Sequence, residues 1–349
     1  MHAVVLHAFG PAENLSYESV PDPVPGPGEV RVSVRAAGVH QIETAMREGL
    51  EIGPPLPELP AIFGGEVAGV VESVGPDVDE SWVGADVVTA HSRPGGYAEL
   101  TVADVSSLHR IPAGLGYEAA VTMIVTGVTT LGLLDIAALT ADDVVLVTSA
   151  AGGIGRLVVQ FAGRLGATVI GAAGGPAKTA AVRELGADVA VDYDLPDWTD
   201  TVRDALNGHS GGQRLGHGGN SGGNSGGNSG GNRVTVVLDG VEGDKGRAAF
   251  GLLAEGGRHI TIGAASRESF RPDEAELKER GVRFIDALSL LLEGKAAAAD
   301  PARALAAAAD GTLVPAFQTF PLSQAAAVHT AVRARATTGK VILVPDAFL

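Results

Sequence analysis

The sequence predicts an α/β protein with a β-rich, barrel-like domain and a doubly wound parallel sheet. Three observations carry that prediction. The first third of the chain is a series of short β-branched runs punctuated by Pro and Gly, the habit of a barrel-like sheet. From Asp143 onward, apolar β-branched runs alternate with helical stretches, which implies βα units around a parallel sheet. The length, 349 residues, is generous for one core and fits two. The rhythm changes near Gly116. A domain joint is therefore expected there.

Taken in order, Met1–Leu6 reads as a strand, and Ser19–Gly28 (SVPDPVPGPG) as a stiff connection that cannot be helix. Glu29–Arg35 alternates apolar and polar, with Val30, Val32 and Val34 inward. Val67–Val74 and Asp86–Ala90 are further strands. Tyr117–Leu139 is helical in composition. Its apolar stretch Ala119–Leu139 carries four Thr, two Gly and Asp135, so it reads as a buried helix rather than a membrane span. Asp143–Thr148 (DVVLVT) has the composition of a strand covered on both faces. Helix 155–165, strand 168–172, helix 176–185, strand 188–192 and helix 198–206 follow. After a glycine-rich stretch come strand 233–239, helix 245–255 and strand 258–263. The tail holds helices 300–308 and 322–335 and a last strand, Lys340–Val344.

Composition excludes several chemistries. The formal charge is −16, which disfavours a nucleic-acid partner. There is no cysteine, so disulfides, thiolate catalysis and Cys-ligated zinc are all excluded. The N-terminus, MHAVVLHAFG, lacks the pattern of a signal peptide, and a soluble cytoplasmic protein is expected. Glycine is abundant, 49 residues. Twelve of them fall in 208–232, which repeats Ser-Gly-Gly-Asn at 221, 225 and 229. With Leu215 as its one large apolar residue, that segment cannot offset its ordering entropy and is read as a flexible insertion.

The chemistry is in the glycine cluster after Asp143–Thr148. Ala150-x-Gly152-x-x-Gly155 matches G-x-G-x-x-G with Ala in the first place, in the strand–turn–helix context the motif requires. Such a turn brings backbone close to a pyrophosphate, the helix start donates N–H groups to it, and the last Gly permits close packing. About 20 residues on, NAD-binding units usually carry Asp or Glu for the ribose 2′-OH. Here the segment is Gly171-Ala172-Ala173-Gly174-Gly175, with no acid, and Lys178 follows. A missing carboxylate and an added lysine favour a 2′-phosphate, hence NADPH over NADH.

Several segments together carry a family resemblance: Gly38–Gly49, Gly65–Gly75, Gly95–Glu99, Thr126–Thr130, the glycine motif, Val236–Val241 and Thr337–Val341. The chain resembles the zinc-independent quinone oxidoreductases, the zeta-crystallin-like branch of the medium-chain dehydrogenase/reductase superfamily. The likeness runs end to end except for 208–232. It implies a GroES-like substrate domain, expected at 1–117 and 296–349, and a Rossmann domain, expected at 118–295, with the active site in the cleft between them. It also implies hydride transfer from NADPH to a quinone, an enone or an enoyl thioester.

By that resemblance Ala151, Gly152, Gly153, Ile154 and Gly155 hold the pyrophosphate. Gly174, Lys178 and Tyr193 belong to the 2′-phosphate end. Thr126 and Ile262, Gly263 and Ala264 border the nicotinamide, and Lys340 lies near it. A homodimer or homotetramer is expected, with Val282–Asp286 as the candidate edge strand. Zinc members have Cys near the position of His40 and a Gly-His-Glu where this chain has Gly64-Gly65-Glu66. Both ligands are missing, and His40 with Glu66 makes only two ligands, so no metal is expected.

His40 also departs from the branch, where Asn is usual, and Glu43 stands for the usual Asp. An imidazole titrates near neutral pH, so His40 is a candidate proton donor or an orienting hydrogen-bond partner. Thr44, Arg47, Tyr97 and Thr126 are candidate substrate contacts, Arg47 and Tyr97 having packing or ion pairing as the alternative. Two rival functions are an enoyl-thioester reductase of a biosynthetic pathway, and an NADPH-binding structural or regulatory protein of low turnover.

Overall fold

Val144–Thr148 is buried along its whole length, as a strand covered on both faces must be. It lies inside a six-stranded sheet in a computed structural model of the chain, which describes residues 1–51, 55–90, 95–208, 233–266 and 268–348. In chain order the strands are β1 (His2–Leu6), β2 (Leu15–Ser19), β3 (Glu29–Val39), β4 (Ala61–Ile62), β5 (Glu66–Val74), β6 (Asp86–Ala90), β7 (Leu100–Asp104), β8 (Leu108–Arg110), β9 (Val144–Thr148), β10 (Thr168–Ala173), β11 (Val189–Asp192), β12 (Val234–Asp239), β13 (Leu253–Thr261), β14 (Arg283–Ile285), β15 (Phe317–Pro321) and β16 (Lys340–Val344). The chain divides into two compact units, Met1–Val128 with Asp300–Leu349, and Thr129–Ala299. Both joints fall later than the expected 117/118 and 295/296. Helix Tyr117–Thr122 continues through a π-turn, Met123–Gly127, into helix Val128–Ala137, so the chain shows no break at Tyr117.

The first unit is built on a sheet of order β15-β16-β3-β5-β6-β8, with β7 also paired to β3. The pairing is antiparallel except between β15 and β16. A smaller sheet, β2-β1-β4, adjoins it in sequence. Val30, Val32 and Val34 are fully buried, as the alternation in Glu29–Arg35 predicts. The strand then runs on to Val39, past the expected end at Arg35. Ala36, Ala37, Gly38 and Val39 are all buried, so this part is covered on both faces and shows no alternation. The core gathers Leu6, Phe63, Val67, Tyr97, Val328 and Leu343.

The second unit has the strand order β11-β10-β9-β12-β13-β14, every pair parallel. That is the doubly wound order of dinucleotide-binding folds, with the switch between β9 and β12. Leu146, Ile170, Trp198, Val202, Val237 and Phe250 pack its core. The helix expected at 245–255 is Gly243–Phe250 instead. The helix ends early because Leu253–Glu255 belong to β13, where Leu253 pairs with Val234 across an irregular register.

The apolar helix spanning Tyr117–Ala137 is long enough to cross a membrane by length and composition, and 61% of its most apolar window is buried within the protein. Of the segment read as a flexible insertion, residues 209–232 lie outside the described residues. Gly208 is the last residue of the helix Trp198–Gly208.

Candidate functional site

In the second unit, β9 ends at Thr148 and Ser149 takes a left-handed φ of 54°, which turns the chain sharply. Gly152 donates its N–H to the Ser149 carbonyl at 2.9 Å. The 13-residue helix Gly153–Leu165 then starts. A Cβ on Gly155 would strike the Ser149 carbonyl and come within 2.8 Å of the Ala150 Cα. The last Gly of the motif is thus required by strand–helix contact. Ala151 and Gly155 are buried, while Gly152, Gly153 and Ile154 keep part of their surface. The loop therefore presents partly exposed backbone at a helix N-terminus, the arrangement that fits a pyrophosphate.

The turns after β10, β11, β12 and β13 lie, with this loop, at the carboxyl ends of the parallel strands, where open α/β sheets bind ligands. Thr148 Oγ1 donates to Asp239 Oδ1 at 2.6 Å and accepts from the Gly240 N–H at 2.9 Å. This joins the ends of β9 and β12 across the switch point. His259 Nε2 lies 3.2 Å from Asp239 Oδ2, both residues fully buried. Burial alone would raise the Asp239 pKa, but His259, Thr148 and the Val241 N–H hold it below the usual carboxylate range. Ile262 N–H donates to the Asp239 carbonyl at 2.7 Å, which seats the Ile262-Gly263-Ala264 turn against Gly240. Gly174 follows β10, half-buried Lys178 is the third residue of helix Pro176–Glu184, and half-buried Tyr193 follows β11.

In the first unit, topology assembles a polar cluster. β3 is flanked by β16 and β5, both antiparallel to it. The end of β3 therefore meets the starts of its two neighbours, and His40, Lys340 and Glu66 come together. His40 Nε2 lies 3.0 Å from Glu66 Oε1 and 3.1 Å from Lys340 Nζ, and Lys340 pairs with the same Glu66 oxygen. Glu66 has no exposed surface, the Lys340 side chain is 6% exposed and the His40 ring 29%. Burial would push the Glu66 carboxyl up, but the His40 and Lys340 charges outweigh it and hold the pKa at about 2. Gly38 makes the room, since a Cβ there would come 2.6 Å from Glu66 Cδ.

A second chain of hydrogen bonds holds His40 from behind. Glu43 accepts from the His40 N–H at 2.8 Å, the Gly64 N–H at 3.2 Å and the Tyr97 hydroxyl at 2.7 Å. His329 Nε2 lies 3.3 Å from the Tyr97 oxygen. Burial, with Arg47 nearby, lowers the His329 pKa to about 3, so the ring is neutral and Nε2–H donates. Burial and the Glu43 charge raise the Tyr97 pKa well above its usual value, so it remains a donor.

The candidate substrate contacts separate by burial and hydrogen bonding. Tyr97 is fully buried and committed to Glu43. Thr44 is fully buried, its hydroxyl donating to the Gln41 carbonyl at 2.7 Å inside its own helix. Arg47 is 3% exposed and donates to the Gly10 carbonyl and to Glu48, both at 2.9 Å. All three are buried with these partners. Thr126 lies in the π-turn with part of its surface open. Sequence reasoning missed Glu43 as a hub and Asp239 as a clamp. The signal available was a polar residue at the end of an apolar strand or three residues into a helix.

Among the described residues no group of three or more His, Asp or Glu could hold a metal ion. His40 and Glu66 do meet, with the Lys340 ammonium on the carboxylate they would need to offer.

The sheet order and the glycine turn define a nicotinamide-dependent dehydrogenase or reductase of two units. Residues 153–289 match the family model of the zinc-binding dehydrogenases, and residues 26–113 that of the alcohol dehydrogenase GroES-like domain. A quinone oxidoreductase of Pseudomonas aeruginosa is 31% identical over 97% of this chain and 98% of its own. A 2-haloacrylate reductase of a Burkholderia species is 30% identical over 99% of both. The crystal structure of Escherichia coli quinone oxidoreductase complexed with NADPH matches with a TM-score of 0.80 at 26% identity, covering 99% of this chain and 100% of that one. The chain belongs to the zinc-independent quinone oxidoreductase branch of the medium-chain dehydrogenase/reductase superfamily. It is an oxidoreductase with a nicotinamide cofactor.

Proposed function

We propose that this chain uses NADPH to reduce a quinone or an α,β-unsaturated carbonyl compound. The observation that carries the reading is His40, the one member of its cluster with substantial open surface. The quinone oxidoreductase and 2-haloacrylate reductase relatives support it. Bound NADPH supplies a hydride to the electron-poor carbon of the acceptor. As that carbon is reduced, the acceptor's carbonyl oxygen gains negative charge and needs a donor. His40 would supply it, oriented through its backbone by Glu43 and through its ring by Glu66. Lys340 holds Glu66 ionised, and buried Glu66 in turn balances the ammonium. Gly152–Gly155 would hold the pyrophosphate, Lys178 and Tyr193 the 2′-phosphate end. The Thr126 and Ile262–Ala264 backbones would border the nicotinamide. We further assign the protein to the cytoplasm as a homodimer or homotetramer, paired through β14, the terminal strand of the parallel sheet.

The test is NADPH oxidation with a panel of quinones, enones and enoyl thioesters, by the protein and its His40→Ala variant. Turnover is expected with quinones or enones. With an enone His40→Ala should lower kcat about 100-fold, a common size for loss of one oxyanion donor. The loss with a quinone should be smaller, because solvent can protonate a hydroquinone anion. Turnover confined to enoyl thioesters would favour a biosynthetic reductase. Tight NADPH binding with no turnover on any acceptor would overturn the enzymatic reading.

A further inference from the structure

Two turns and a helix of the parallel-sheet unit converge beside Gly174. Asp192 Oδ1 accepts from the Gly175 N–H at 2.9 Å and the Asp194 N–H at 3.0 Å, and the Tyr193 N–H donates to the Ala173 carbonyl at 3.1 Å. These bonds lock the turn after β10 to the turn after β11. Over them reaches Lys245, from the helix Gly243–Phe250. Its Nζ sits 3.9 Å from the Tyr193 ring centroid and pairs with Asp194. A Cβ on Gly174 would lie 2.5 Å from Asp194 Oδ2 and 3.1 Å from Tyr193 Cε2, so the carboxylate and the phenol ring both cover this turn. Lys245 and Asp194 side chains are 33% and 57% exposed, and an ion pair so placed is weakly held.

We propose that Lys245 is a second cation for the 2′-phosphate of NADPH, kept over Tyr193 by Asp194 until the phosphate takes the place of that carboxylate. The proposal rests on the reading that NADPH is the cofactor. Charge decides the exchange. Asp194 carries one negative charge, and a phosphate monoester at neutral pH nearly two with three acceptor oxygens. The ammonium therefore prefers the phosphate. The Tyr193 ring keeps Nζ at the turn during the exchange, because a cation is attracted to the ring face. Asp194 is then a selective brake: its charge opposes the 2′-phosphate and leaves a bare ribose hydroxyl nearly unaffected.

The experiment is titration calorimetry of the full-length chain with NADPH, NADH, 2′,5′-ADP and 5′-ADP. Variants are Lys245→Ala, Lys245→Arg, Asp194→Asn, the Lys245→Ala/Asp194→Asn double and Lys178→Glu. The unaltered protein should prefer NADPH to NADH and 2′,5′-ADP to 5′-ADP. Lys245→Ala should weaken NADPH and 2′,5′-ADP about tenfold, the worth of one charge-assisted hydrogen bond, with NADH and 5′-ADP unchanged. Lys245→Arg keeps the charge and should keep the preference. Asp194→Asn should tighten NADPH severalfold, and the double variant should bind it more weakly than Asp194→Asn alone.

No discrimination between NADPH and NADH by the unaltered protein, with Lys178→Glu weakening both equally, would overturn the cofactor reading. Discrimination that persists in Lys245→Ala, with Lys245→Arg folded and equally selective, would leave that reading intact and overturn this proposal. So would a double variant that matches Asp194→Asn, since Lys245 would then only mask the carboxylate.

Discussion

Glu66 has no exposed surface, yet it is held ionised at a pKa of about 2. An isolated buried carboxylate would neutralise itself; this one has a cation on one side and an imidazole on the other. His329 is the opposite case, a histidine kept neutral to pH about 3 by burial and by Arg47. Its ordinary value is 6.5, so the unfolded chain binds a proton there before the folded one does. The stability linked to neutral His329 is complete above pH 6.5 and is lost as pH falls from 6.5 toward 3, by about 1.4 kcal/mol per pH unit. His329→Gln keeps a donor for Tyr97 and removes the titration. Between pH 6.5 and 5 the unaltered protein should therefore lose about 2 kcal/mol more urea stability than His329→Gln. Parallel losses in the two proteins would show that His329 is not held neutral. At this scale His40 and Lys340 were legible as candidates, and the resemblance set His40 beside Glu66, but the pairing of Lys340 with both was not. Lys340 stands 300 residues from His40, and no local pattern encodes that distance.

At the scale of elements, most of the parallel-sheet unit could be read directly. Thr168–Ala173, Pro176–Glu184 and Val189–Asp192 lie within a residue of the expected ends, because buried β-branched runs and Gly or Pro boundaries are local signals. The elements that escaped were short: Gln41–Arg47, Leu100–Asp104 and Glu274–Arg280 among them. The strand-to-helix turn at Ser149–Gly155 is the element on which cofactor binding depends. Gly155→Val would drive a branched side chain into the Ser149 carbonyl and the Ala150 Cα. Overpacking of this kind typically costs about 1–3 kcal/mol, and here the backbone that moves is the phosphate-binding loop. NADPH affinity should fall at least tenfold by calorimetry while circular dichroism stays that of a folded α/β protein. Unchanged affinity would mean that the loop does not hold the pyrophosphate.

On the scale of the whole molecule, the absence of cysteine and the pairing of Lys340 with Glu66 lead to one expectation about metal. Two side chains with an ammonium on their carboxylate do not form a catalytic zinc site. Saturating chelator should leave acceptor reduction unchanged. Activity lost to chelator and restored by zinc would overturn the expectation. The charge of −16 sets a second condition. An anionic cofactor must approach against the overall field, so its attraction has to be local, which is the part proposed for Lys178 and Lys245.

The sequence by itself determined the two kinds of sheet, the nucleotide loop and the family. Each is written in residues close together in the chain: an alternation, an apolar run, a glycine spacing. Tertiary structure alone decided which polar groups meet. It buried Tyr97, Thr44 and Arg47 as supports and left His40 the open member of its cluster. It also placed Lys245 over Tyr193, beyond a segment that interrupts the pattern. The physical reason is that a charge is defined by its surroundings. Whether a lysine answers a carboxylate, a phosphate or water depends on strands and turns paired from distant parts of the chain.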